Sequence, residues 1–176
     1  MRVFRSLIII CLLMVGCTNP PSPDATPPDI TEIEPMDIEV SWVFFESLEE
    51  MLESSDDVLL LEDAVFQGVE SYEHDYLIWQ AEVIKSRNQV FDPGTFRFKV
   101  MNEHQAEDAI DMLQKQDQVI VFVKHFDDAG PPSILVPYVG VIGVKGEKLV
   151  LMPVMAELIE SGSLHFPAAE LSDLLD

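Results

Sequence analysis

Basic residues are scarce in this chain. Its 176 residues hold 10 Lys and Arg against 32 Asp and Glu, a formal net charge of −22. Affinity for nucleic acid depends on Lys and Arg neutralising phosphates, so no nucleic-acid partner is expected. Anionic headgroups repel such a chain as well, and charge alone would not hold it on a membrane. Cysteine is nearly absent, with Cys11 and Cys17 the two present. The N-terminal apolar run, residues 7–15, covers nine residues. A helix that crosses a bilayer needs about 20.

Catalytic signatures are missing too. The sequence has no GxSxG nucleophile elbow and no HExxH. Gly140-Val141-Ile142-Gly143 lacks the lysine of a phosphate loop and reads as strand, its glycines easing a bend. Ser161-Gly162-Ser163 reads as a loop. None of His74, His104, His125 and His165 pairs at H-x₃₋₅-H spacing. His74 between Glu73 and Asp75 reads as a solvated turn before it reads as a metal site, and His125 as a strand-edge residue beside Asp127 and Asp128. Adjacent acids (Glu49/Glu50, Asp56/Asp57, Glu107/Asp108, Asp127/Asp128) are expected by chance in so acidic a chain. No EF-hand loop is among them. Catalytic residues therefore stay unknown, and no cofactor or metal is expected.

What is present is an address. Arg2 and Arg5 precede the uncharged apolar run, and Gly16 stands before Cys17. A positive flank, a short apolar core and a small residue at the cut form the layout of a secretory signal. The other reading of the run, a buried core element at the N-terminus, carries less weight. Met14-Val15-Gly16-Cys17 resembles the lipobox of bacterial lipoproteins, with Met14 where leucine is commonest. The resemblance implies cleavage between Gly16 and Cys17 and acyl chains on Cys17, with the lipid bilayer as partner. Buried acyl chains gain about 0.8 kcal/mol per CH₂, and two or more anchor stably. Thr18 in place of an aspartate implies the outer membrane where a cell has two, and otherwise the outer face of the cell membrane. Loss of residues 1–16 removes Cys11, which leaves no second thiol for a disulfide. It also removes two positive charges, taking the net charge from −22 to −24. That acidity suits solubility in high salt or at high external pH, where screening offsets self-repulsion.

Residues 17–36 then read as the lipidated cysteine and a disordered linker. Six prolines fall between residues 18 and 36, and an extended chain of that length reaches up to ~60 Å. No PxxP with basic flanks marks it as a ligand for another domain.

Residues 37–176 are expected to form a single β-rich domain. Alternating apolar residues predict strands over 37–45, 58–71, 76–84, 95–100, 119–126, 138–144 and 148–152. Phe96, Phe98 and Val100 are expected on one side of the fourth strand, with Arg97 and Lys99 on the other. Gly68 suggests a bulge. Ser47-Leu48-Glu49-Glu50 reads as a capping box for a short helix. Asn102 is expected to cap a helix through Gln114. Short helices are expected over 154–160 and 167–175, the second begun by Pro167. Trp42, Phe44, Tyr76, Trp79, Phe96 and Phe98 read as core before a sugar-stacking platform.

Many strands and one inserted helix indicate a mainly β (α+β) fold: a small antiparallel OB-like barrel with short terminal helices. Residues 47–152 also resemble small exported barrel domains of bacterial lipoproteins, through the SLEEM helix, the strand reaching Gly68, the aromatic strand after it and the strand after Asp117. The functional expectation is a membrane-anchored, non-enzymatic binding or accessory domain of the cell envelope, with an envelope protein as a further partner. The alternative is an envelope hydrolase whose carboxylate pair the fold assembles, with two carboxyls ~5–10 Å apart across a cleft.

Overall fold

The computed structural model describes residues 30, 33–35, 44–127 and 130–176. Gly16, Cys17, the signal and most of the proline-rich stretch lie outside the described residues. So does the strand expected over 37–45 as far as Val43; Phe44 and Phe45 carry no strand pairing.

The chain is mainly β. A short helix, α1 (Leu48–Ser54), precedes β1 (Asp57–Ser71), β2 (Asp75–Ser86) and β3 (Gly94–Met101). A 3-10 turn, His104–Ala106, runs into α2 (Glu107–Lys115), and β4 (Gln118–Lys124), β5 (Ser133–Ile134), β6 (Val141–Lys145) and β7 (Lys148–Val150) follow. Two helices end the chain, α3 (Pro153–Glu160) and α4 (Leu171–Leu175).

Strands pair in the order β1-β2-β3-β5-β4, and β4 returns to β1, closing a five-stranded barrel. The ladders are antiparallel except β3 with β5, which run parallel through Lys99 and Ser133. Closing so small a barrel demands a bent first strand. β1 bends at three register shifts against β2, near Leu60, between Glu62 and Val65, and at Gly68. Asp63 and Gly68 take φ of 52° and 140° there. Residues 57–62 of β1 pair with β4, and the strand then continues with β2 alone. Val58–Leu61 read as one apolar run because both faces are buried.

α2 stands between β3 and β4, the place expected for the inserted helix. Ala106, Ala109 and Leu113 bury against the core. A Cβ on Gly143 would lie 2.7 Å from Met112 Sδ and 2.9 Å from Gln116 Cγ, so glycine lets α2 settle close against β6. Asn102 does not cap this helix. It is buried, and its Nδ2 donates to Glu34 O at 3.1 Å, while Glu103 takes the N-cap position of the 3-10 turn. Ile30 and Ile33 pack on the core as well, so part of the stretch read as linker lies on the barrel.

One strand expectation and one helix expectation need correction. The strand expected from Tyr138 begins at Val141. β5 and β6 share one edge of β4, and Phe122 bonds to both sides of the break: its O accepts from Leu135 N–H at 2.8 Å and its N–H donates to Gly140 O at 3.0 Å. Residues 135–139 bulge out between them, closed by Gly140 N–H on Val136 O at 2.6 Å. A Cβ on Gly140 would collide with that oxygen, so glycine permits the turn. The other correction concerns Pro167. Pro153 takes the first turn of α3 instead, and α4 begins at Leu171, where Asp173 Oδ2 accepts the N–H groups of Ala169 and Glu170.

Helix ends are tied with side chains. Ser47 Oγ accepts from Glu50 N–H at 3.2 Å, and the Glu50 carboxylate accepts from Glu46 N–H at 2.8 Å, one residue earlier than a capping box requires. Lys124 Nζ donates to Ser54 O at the end of α1, and Arg87 to Leu174 O at the end of α4. Both cations meet the negative end of a helix.

Candidate functional site

The residues singled out in sequence do not converge. His74 is exposed at the β1–β2 turn, and its neighbour Asp75 accepts from Ser71 Oγ. His125 is exposed and donates its backbone N–H to Asp56 Oδ2 at 2.7 Å. Among the described residues no three His, Cys, Asp or Glu side chains are grouped to hold a metal. Glu49 and Glu50 are exposed on α1, and Glu107 and Asp108 are neighbours on the first turn of α2. Asp127 is exposed, and Asp128 lies outside the described residues.

Asp57 of the pair Asp56/Asp57 is fully buried and occupied by the fold. Its two oxygens accept from the N–H groups of Val58, Asn88, Val90 and Phe91 and from Ser86 Oγ. It anchors the β2–β3 loop to the start of β1. Glu70 and Asp173, among the described residues, are carboxyls with acidity shifted down. The Tyr72 hydroxyl and then Arg97 hold Glu70 below the usual carboxylate range, and the Ala169 and Glu170 N–H groups do the same for Asp173. Such groups stay ionised, the opposite of a general acid.

The aromatics divide. Trp79, Phe96 and Phe98 lie in the core as expected. The Trp79 Nε1–H is buried with no hydrogen-bond partner. Tyr76 and Ile78 are buried outside the barrel's main core, on the outward side of β2 next to Lys99 of β3. Lys99, expected on the polar side, is fully buried: its Nζ lies 4.9 Å from the centre of the Tyr72 ring and 4.7 Å from that of Tyr76. Residues 130–133 cover it. Lys99 N–H donates to Pro132 O at 2.9 Å, and a Cβ on Gly130 would stand 2.9 Å from Nζ and from the Tyr72 ring. Barrels of this order bind ligands on the β2–β3 face and its flanking loops. Here that end of the face is filled by the chain itself.

A surface trough lies elsewhere, around residues 135–139. Phe44 is 74% exposed, and its ring packs on Tyr138 with centroids 6.0 Å apart. Two depressions adjoin there and share Phe44, Tyr138 and Leu158. One, of about 340 Å³, reaches Val154 on α3 and His104, Glu107 and Asp108 at the start of α2. The other, of about 510 Å³, passes over Val139 to Glu46, Gly162 and Ser163. Such volumes lie in the range of ligand clefts.

The break between β5 and β6 and the helix α3 supply much of the trough's wall. The break between β5 and β6 brings Tyr138 to the surface. α3 supplies Val154 and Leu158 and ends at Gly162, φ 75°, with Gly162 N–H on Ile159 O and Ser163 N–H on Leu158 O. That pattern is a glycine-based helix stop. Burial, and then the Glu103 carboxylate, push the Tyr138 hydroxyl up in pKa. No Lys or Arg lines the trough among the described residues.

Sequence reasoning missed Asp57, Lys99 and Tyr138 as organising residues. Pro137 offered a signal for the third, because proline rarely sits inside a paired strand. For the first two, strand alternation showed only a face.

No family model matches the sequence, no curated protein matches it significantly, and no solved structure gives a significant match.

Proposed function

We propose that this chain is an exported lipoprotein, held at the membrane through acyl chains on Cys17, whose barrel serves as a non-enzymatic binding or accessory domain of the cell envelope. The observation that carries the reading is the position of Cys17. It follows a short apolar run and Gly16, and a proline-rich stretch comes directly after it.

The fold is compatible with that life. The barrel holds together through a continuous apolar core, in which the segments of β1, β2, β3, β4 and β6 all take part. A lone cysteine costs such a domain nothing in stability, because no disulfide is called for. With Ile30 and Ile33 packed on the barrel, the stretch from residue 18 to residue 29 sets the tether's reach, at most about 40 Å when extended.

Cys17→Ala tests this reading. Membrane fractions should lose the protein, with the circular dichroism of the released domain unchanged. Mass spectrometry of the membrane-extracted parent should show residues 1–16 removed and acyl mass on Cys17. Equal membrane partition of the variant and the parent would sink it.

A further inference from the structure

We propose that the trough around Phe44 and Tyr138 is a docking surface for a cationic apolar segment of a protein partner, one that sets aliphatic side chains on the floor and Lys or Arg at the rim. The inference takes from the preceding section only that the domain is a binding module. It does not depend on the anchor.

The floor is apolar. Phe44, Tyr138, Val139, Val154 and Leu158 line it, and Phe44 presents most of its ring to solvent. A large exposed aromatic beside clefts of this size is the usual form of an interface anchor.

The rim has one sign. Glu107 and Asp108 stand at one end and Glu46 at the other. His104 lies 3.6 Å from Glu107, exposed beside it. The second end also meets the C-terminal turn of α3, whose last turn carries no basic residue. The negative end of that helix adds to the same potential.

Six of the eight Lys and Arg among the described residues are engaged elsewhere, and Lys145 and Lys148 stand exposed on the β6–β7 hairpin. Lys85 pairs with Asp176, Arg97 with Glu70 and Lys115 with Asp111. Lys124 and Arg87 cap helix ends, and Lys99 is buried between tyrosines. A field of one sign over an apolar floor selects a partner of the opposite sign, through faster encounter and through rejection of acidic competitors.

The test uses the full chain and three short acetylated, amidated peptides, titrated by calorimetry. One mixes leucine and lysine, one has glutamate in place of lysine, and one has glycine in place of leucine. The leucine–lysine peptide should bind, with amide shift changes centred on Tyr138 and Leu158. Phe44→Ala should weaken it about 10-fold. Glu107→Gln with Asp108→Asn should weaken it about 5-fold and flatten its salt dependence. These residues are exposed or partly exposed, so both variants should stay folded, with circular dichroism as the check.

Equal binding of the glycine–lysine peptide, or indifference to Phe44→Ala, would show diffuse charge attraction and overturn the proposal. Binding of the glutamate peptide would overturn it as well. Failure of the full chain to bind, whether because residues 36–43 or a second copy take the trough, has the same force. A negative peptide result beside normal anchoring of the parent removes this inference and leaves the Cys17 reading standing.

Discussion

Asp57, at the start of β1, and Lys99, on β3, are both fully buried charged residues, and the fold treats them differently. Asp57 receives directed hydrogen bonds from four backbone N–H groups and a serine hydroxyl, and so replaces its lost water with fixed donors. Lys99 lies between two tyrosine rings, under residues 130–133. One buried charge gathers backbone donors, and the other lies against two aromatic rings. Removing the first strands several donors; removing the second leaves an aliphatic stem that still fills its place.

The comparison is tested most sharply by Asp57→Ala. The Val58, Asn88 and Val90 N–H groups and the Ser86 hydroxyl would lose their acceptor. Urea unfolding should show a loss of about 3–5 kcal/mol, and amide exchange should speed up across residues 86–91. A loss below about 1 kcal/mol would mean that the loop finds water without difficulty, and the contrast would collapse.

Lys99→Met comes next. The stem stays and the charge goes, so the loss should be about 2 kcal/mol, the scale of desolvated cation–π contacts. The amides of Gly130 and Ser133, which flank two prolines in the covering segment, should become more exchangeable while those of residues 86–91 stay protected. A loss as large as that of Asp57→Ala would make the two sites alike.

The smallest effect concerns the shell around Lys99. The Tyr72 hydroxyl donates to Glu70 at 2.6 Å and lowers its pKa from 4.5, and the same bond raises that of Tyr72 from 10.0. Glu70 must be ionised, so its contribution is present above pH 4.5 and fades as pH falls through its lowered folded value. Tyr72 must keep its proton, so its contribution is present below pH 10 and fades as pH rises through its raised folded value. Both side chains are partly exposed, which holds the effect to about 0.5 kcal/mol. Denaturation midpoints across pH 3–11 should shift little, and Glu70→Gln should flatten part of the acid limb. An acid limb unchanged in that variant would assign the dependence to other carboxylates.

Strands and helices were legible wherever burial followed the local period. Residues 77, 79, 81 and 83 point inward on β2 as alternation requires, and the helix between β3 and β4 showed its apolar stripe. Alternation failed at Lys99, because a strand face is exposed only if nothing folds over it, and residues 130–133 do. It failed again at Tyr138, because the break in the strand depends on Gly140 meeting Val136, a contact closed through space. The trough stayed hidden for a further reason: its walls come from residues 44–46, 104–108, 138–139 and 154–163, which no spacing rule connects.

Local order along the chain determined the acidity, the expected export address ending at Cys17, the run of strands and the place of the inserted helix, since each depends on composition or on neighbours within a few residues. Only the closed barrel decided which polar groups would be buried, which strand would break and where an apolar hollow would meet an acidic rim. Burial is a property of what arrives from elsewhere in the chain, and a residue's own neighbours in sequence do not carry that information.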